Sequence, residues 1–369
     1  MKRTPMTSMQ LFGCLLVLAW LLTVSGNAYA STTWYVSGMS GSDSNKCLSA
    51  ATACNTIGRA ISLAVSGDSI TIAPAVYSEN LTINFSLRLI GSNARTTIID
   101  GAKSRRVISI LSTSAAVTLS NLTIRNGIAP AGGGILNWGH LTLSNSAVTG
   151  NYALSESSAT GGGIYNSGTL TVSNSTFSGN TTTANFVYGG AIYSSGPLVM
   201  NNSTVSGNSV GGRFGGGGGG IYAAGGATRI SNTTIAGNSG NSGGGIYKGG
   251  GTVTIQNSIV SASSRGGNCF GTMTSNGYNL SSDGTCTKTF HNSGDRNNTN
   301  PILGTLGNYG GPTNTMQLLT GSPAIDTGNP SGCRDSQGNL LKTDQRGMPR
   351  PDKEDTGGCD RGAFERQSD

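Results

Sequence analysis

Between residues 132 and 259 the chain repeats one hydrophobic pattern five times. GGGILN begins at 132, GGGIYN at 161, GGAIYS at 189, GGGIYA at 218 and GGGIYK at 243, at spacings of 29, 28, 29 and 25 residues. Each glycine-led segment is followed by a short alternating one: LTL at 141–143, LTV at 170–172, LVM at 198–200, TRI at 228–230 and VTI at 253–255. An asparagine then recurs, and after it a third apolar position at Val148, Phe177, Val205, Ile235 and Ile259. Four units close with Gly-Asn, at Gly150-Asn151, Gly179-Asn180, Gly207-Asn208 and Gly237-Asn238. Period-two alternation over such short runs predicts strands. Three short strands per unit cannot form a closed sheet alone, but in-register stacking pairs each strand with its copy in the next unit. The predicted fold is all-β, a parallel β-helix with three sheets.

That fold gives each recurrent residue a task. Ile135, Ile164, Ile192, Ile221 and Ile246 are expected to point inward as one apolar ladder. The recurring asparagines Asn145, Asn174, Asn202, Asn232 and Asn257 fall where the chain must bend, as does Asn121 in the weaker coil VTLSNLTIRNG at 117–127. Asparagine tolerates the left-handed conformation, and a column of such side chains can hydrogen-bond along the axis. These six are expected to form a structural ladder. Earlier coils are legible in SITIAPAVYSENLTI and LTINFSLRLIGSNARTTIIDG. Before them, Ile57, Ala60, Ile61, Ala64 and Val65 share one helical face and predict a short helix capping the open end of the core. About eight coils at ~4.8 Å each make a rod of about 40 Å. The expected division is a leader at 1–30, an N-terminal strand and capping helix at 31–68, β-helix repeats at 69–265, and a loop-rich, disulfide-bonded C-terminal cap at 266–369.

Composition narrows the class. Glycine is 59 of 369 residues and charged residues are only 11%, which excludes helical bundles and charge-rich disordered chains. Ten prolines are too few for a collagen-like repeat. Residues 1–30 read as a cleavable signal peptide: Lys2 and Arg3, an apolar run from Leu11 to Val24, and the small-x-small site Ala28-Tyr29-Ala30. The expected mature protein is secreted and has no membrane span. Its net charge of +5, from 21 basic and 16 acidic residues, is mild and scattered, and no nucleic-acid partner is predicted. Six cysteines remain in three sequence-local pairs, so the expected disulfides are Cys47–Cys54, Cys269–Cys286 and Cys333–Cys359.

Three resemblances cover nearly the whole mature chain. TWYVSGMSGSDSNKC, followed by CNTIGRAI and GDSITIAPAVYSENLTI, is similar to the opening of pectate-lyase-like right-handed β-helix proteins. The GGGIY and GGAI repeats, with Phe177-Ser178-Gly179-Asn180, resemble the GGAI and FxxN repeats of chlamydial polymorphic outer membrane proteins. NCFGTMTSNGYNLSSDGTC, GSPAID at 321–326, TDQRGMPRP at 343–351 and CDRGAFE at 359–365 resemble bacterial choice-of-anchor Q proteins. The resemblance implies an exported right-handed β-helix protein of unassigned biochemistry. Two departures bear on anchoring. Arg361 stands where that family usually has an apolar residue, and no hydrophobic tail or sorting motif precedes Asp369, which favours free secretion over a surface anchor.

The chemistry available on the coils is limited. Glycoside hydrolysis needs two placed carboxylates, and calcium-dependent lyases need several. Between Asp100 and Asp283 the sequence has one, Glu156. Arg125, His140, Arg213, Arg229 and Lys248 do not share a position in the repeat, so no catalytic cluster, metal site or cofactor is predicted. Acids gather at the C-terminus, where Asp344-Gln345-Arg346 and Asp360-Arg361 read as charge pairs pinning a cap. The sharper candidate is a tyrosine stripe. Tyr165, Tyr193, Tyr222 and Tyr247 each follow an inward isoleucine, so alternation turns them outward and stacking makes them a ladder. Inserts carrying Phe186, Tyr188 and Phe214 run into the same face as a groove wall. Aromatic rings with a polar tip suit sugars. The sequence predicts an extracellular binding or adhesive module whose partner is a polysaccharide or cell-surface glycan. Its alternatives are a polysaccharide lyase or related carbohydrate-active enzyme, and a self-associating structural component of the envelope.

Overall fold

The computed structural model describes residues 31–353 and 358–367. The expected leader at 1–30 lies outside the described residues. The chain forms a right-handed parallel β-helix. Among the described residues its three long sheets hold ten, nine and eight strands, all paired parallel. One coil shows the plan: Thr169–Ser173 in the first sheet, Thr176–Ser178 in the second, Ile192–Ser194 in the third. Register is one-to-one from coil to coil. Ile135, Ile164, Ile192, Ile221 and Ile246 are successive partners in the third sheet, and all are fully buried. Leu81 and Ile108 extend this column at one end and Cys269 at the other. Each buried Ile is worth ~1.5–3 kcal/mol, so the repeat stabilises itself by adding rungs.

The corner between the first and second sheets is made by the recurring asparagine. Asn121, Asn145, Asn174, Asn202, Asn232 and Asn257 all hold positive φ, between 44° and 56°. The expected hydrogen-bonded column along the axis, however, is not built by these six. Among the described residues only one side-chain step links them, Asn257 Nδ2 donating to Asn232 Oδ1 at 2.8 Å. Asn202 and Asn232 donate instead to the carbonyls of Thr343 and Arg334. The ladder stands one corner later, at the Gly-Asn closures. Asn151 donates to Asn180, Asn180 to Asn208 and Asn208 to Asn238, at 3.0, 2.9 and 2.9 Å, and all four are fully buried. The glycine before each takes the positive φ, 61° to 67°, which frees the asparagine to point inward. Their amides also donate to carbonyls in the middle of the second-sheet strands, such as Val148 and Phe177.

Both ends of the apolar core are closed. The helix Ile57–Leu63 buries Ile57 and Ala60 over the first coil, while Val65 is exposed. Its first amides, at Ile57 and Gly58, donate to the Glu79 carboxylate at 2.8 and 2.7 Å. Cys47 and Cys54 are bridged beside it. At the far end Cys269–Cys286 closes the core together with Phe290.

The C-terminal region is not confined to that end. The solenoid continues past residue 265 through Cys269–Phe270, Thr274–Ser275 and Leu280–Ser281, one strand for each long sheet. The remaining chain then turns back as a strap along the outer face of the second sheet. It reaches as far as Arg95, whose guanidinium donates to Asn308 and Asn314 at 2.8 Å each. The outward column Thr176, Thr204 and Thr234 explains why the strap lies there. Gln345, fully buried, donates to Thr176 Oγ1 at 2.9 Å and accepts from Thr204 Oγ1 at 2.6 Å. Further along, Ile259 and Leu280 pack with Leu318, Ala324 and Phe364 of the strap.

The motifs that carry the C-terminal resemblance meet in this strap. Arg350 pairs with Glu365 at 2.7 Å, both side chains fully buried. Asp344 pairs with Arg346 at 2.7 Å and accepts from the Glu365 amide. The Asp326 amide donates to Asp360, and the Arg361 amide to the Ala324 carbonyl. The expected pairing of Asp360 with Arg361 is replaced. Buried Arg361 donates to the carbonyls of Thr327 and Asn279, and desolvation lowers its pKa to about 10. Cys333–Cys359 fastens the strap against Asn257.

Candidate functional site: an aromatic groove on the third sheet

The third-sheet strands are only two or three residues long, so each offers one outward side chain. In register these are Thr82, Ser109, Leu136, Tyr165, Tyr193, Tyr222, Tyr247 and Phe270. The five aromatic rings stack. Their centroids lie 5.2, 5.5, 4.7 and 4.4 Å apart and their planes differ by 9–13°. Phe270 is the member the repeat did not announce, because the last coil has lost the GGGIY signature. Its only signal is its place one residue after Cys269, the position every stacked tyrosine holds after an inward isoleucine.

The stack alters the chemistry expected of the stripe. Each ring covers its neighbour's face, so the strip shows edges and hydroxyls rather than flat apolar faces. Burial raises the pKa of Tyr193, and burial with the neighbouring phenols pushes Tyr222 up to about 12. Both shifts favour the neutral, hydrogen-bonding phenol at these two positions. Among the described residues none of the four stripe hydroxyls has a hydrogen-bond partner within the protein. Spaced by the strand repeat, they form a row of unclaimed donors and acceptors.

The wall comes from the inserts between the second and third sheets. These form two small parallel sheets of their own, of four and three strands. The second comprises Ser158–Thr160, Phe186–Tyr188 and Gly216–Gly217. Tyr188 meets Tyr222 edge-on at 4.9 Å and lies 6.5 Å from Tyr193, and Phe186 lies 5.8 Å from Phe214. The structure thus brings all seven expected aromatic residues to one face. Phe186, Tyr188, Phe214, Ser242, Tyr247 and Gly215 to Gly217 enclose a cleft of about 260 Å³. Glycine at 217 is required, because a Cβ there would stand 2.3 Å from the Tyr247 ring. Phe186 and Phe214 are 45% and 62% exposed and Phe270, at the end of the stack, 46%, so open ring surface lies on the wall and at the last rung of the stripe.

The remaining candidates stay apart. Arg229 and exposed His140 lie on the outer face of the first sheet, His140 against Thr169 Oγ1 at 2.6 Å. Arg125 pairs with Asp100 beside the strap, and Glu156 is an exposed loop residue. No cluster of three or more His, Cys, Asp or Glu able to hold a metal ion occurs among the described residues. Nor is any helix among them long and apolar enough to cross a membrane.

No family model and no curated protein matches the chain. Solved structures do. Pectate lyase Pel9A is similar at 16% identity and a TM-score of 0.49, covering 92% of this chain and 97% of its own. Pectin methylesterase PemA from Erwinia chrysanthemi is similar at 13% identity and a TM-score of 0.34, covering 69% of this chain and 71% of its own. At these identities the likeness is one of fold.

Proposed function

We propose that this protein is an extracellular glycan-binding β-helix and that the groove between the tyrosine stack and the Phe186–Tyr188 wall is its binding surface. The observation that carries the reading is the convergence of eight aromatic side chains from five coils and two inserts on one face. Open phenylalanine faces stand on the wall and a row of free phenol hydroxyls lies below. A sugar chain presents the complementary pair, C–H faces for the rings and hydroxyls for the phenols. The row runs along the rod axis, so an extended polymer fits it better than a compact ligand. Binding without cleavage is part of the proposal: Glu156 alone cannot supply the acid and base of glycoside hydrolysis, and product analysis tests the lyase alternative. Signal cleavage and secretion are part of the same proposal, and the three disulfides agree with an oxidising compartment. The test is affinity electrophoresis of the purified protein through gels containing a panel of polysaccharides, with product analysis on the same mixtures. Retardation by at least one glycan without new chain ends is expected. New ends would favour the lyase alternative, and no retardation anywhere in the panel would contradict the proposal.

A further inference from the structure

The aromatic column has a second half of different character. Two rungs before Tyr165 the outward residue is Ser109, and three rungs before it Thr82. Over these lies an open cleft of about 410 Å³, with Arg105 and Arg106 on its wall beside Ile128 and Ala129 of the first insert sheet. Lys103 and Arg105 are exposed. Arg106 is held in place. Its Nε donates to the carbonyls of Ala131 and Gly132 at 3.2 and 3.1 Å, its Nη2 to Ala131 at 2.9 Å and its Nη1 to Ser109 Oγ at 3.2 Å. These contacts carry the guanidinium over the coil of Leu136, one rung of ~4.8 Å from Tyr165. A guanidinium has five N–H groups, so one N–H on each terminal nitrogen remains unused.

The charge there is uncompensated. Among the described residues, none of Lys103, Arg105, Arg106 or Arg213 stands in a salt bridge. Arg213 lies at the other end of the groove, 5.4 Å from the Phe214 ring. A fixed arginine with a free pair of terminal N–H groups fits the oxygens of a carboxylate or sulfate. No cluster of three or more His, Cys, Asp or Glu able to hold a metal ion occurs among the described residues, so the arginines are the groups placed to meet an anion directly.

We propose that the groove selects an anionic glycan, whose carboxylate or sulfate groups are held by Arg106 and Arg105 with Lys103 and whose sugar backbone continues along the tyrosine row. The proposal rests on the glycan-binding reading and names its ligand class. Titration calorimetry of the purified protein against alginate, dextran sulfate and uncharged dextran tests it. Binding of alginate or dextran sulfate, unchanged by a chelator and absent with dextran, is expected. The first two probes distinguish carboxylate from sulfate. The pair Arg105→Gln with Arg106→Gln should weaken binding about tenfold or more. The exposed pair Lys103→Gln with Arg105→Gln should weaken it in the same direction if the first pair folds poorly. Arg88→Gln with Arg229→Gln, the same charge removed from the first sheet, should leave affinity within about twofold. Equal affinity for dextran would overturn the anionic selection while leaving glycan binding in place. Equal loss in the Arg88 and Arg229 control would reduce the effect to net charge and overturn it too. Binding to none of the three probes and to no other member of the polysaccharide panel would remove both proposals together, while binding only to an uncharged member would overturn the anionic selection alone.

Discussion

The side-chain amide of Asn180 donates to Asn208 Oδ1 at 2.9 Å while its own Oδ1 accepts from Asn151, inside a column with no solvent exposure. Removing one member strands buried partners on both sides. Asn180→Ala is therefore expected to cost ~1–3 kcal/mol. Asn174→Gly keeps the left-handed corner that Asn174 provides and should change stability by less than about 1 kcal/mol. Urea denaturation of the two variants checks the order, and equal midpoints would contradict the ladder.

A second test lies in the core of the first sheet. Thr228 occupies an inward position between Leu198 and Val253, is 1% exposed, and its hydroxyl has no hydrogen-bond partner among the described residues. Thr228→Val keeps the shape and removes the stranded hydroxyl. It should stabilise the protein by about 1 kcal/mol, read as a higher thermal midpoint.

The strap depends on the buried Arg350–Glu365 pair. Glu365→Ala leaves a buried guanidinium without its carboxylate and should cost about 3–5 kcal/mol. Limited proteolysis should then cut within the strap before the coils. Unchanged protease resistance would show that the pair does not hold the strap.

The phenol of Tyr222 supplies a pH signature. Its folded pKa is raised to about 12, above an unfolded value of about 10. Between those values the unfolded chain has released the proton and the folded one has kept it, so stability is intact below pH ~10 and falls as pH rises toward ~12. Tyr222→Phe should flatten that alkaline loss. A spectroscopic titration of the wild type should show phenol ionisation extending well above pH ~10, and a single unshifted phenol wave would argue against the stack.

Much of this architecture is readable in the chain because a solenoid repeats each local decision. The isoleucine ladder and the tyrosine stripe follow from alternation alone, and Phe186, Tyr188 and Phe214 reach the groove because their inserts sit between fixed strands. The ladder asparagine was harder to place. Asn174 and Asn180 recur equally well, and only the conformation of Gly179 decides which of them points inward. The strap's Asp344–Arg346 pair and Cys333–Cys359 bond were legible, but its course along the second sheet was not. Gln345 finds Thr176 and Thr204 across more than a hundred residues, and no local pattern encodes so distant a contact. Arg106 escaped notice because its role lies in carbonyls of the next coil rather than in a charged neighbour.

The central claim concerns the aromatic groove, and the wall tests it more cleanly than the stack. The stacked tyrosines support one another, so truncating them mixes stability with binding. Phe186 and Phe214 are exposed and stand outside the stack, and losing them should leave the coils intact. The decisive measurement is the dissociation constant of the Phe186→Ala, Phe214→Ala double variant for a polysaccharide that retards the wild type, taken with its thermal midpoint. The account predicts about tenfold weaker binding or more at an unchanged midpoint. Undiminished affinity in a variant that melts with the wild type would place the glycan elsewhere and contradict the account.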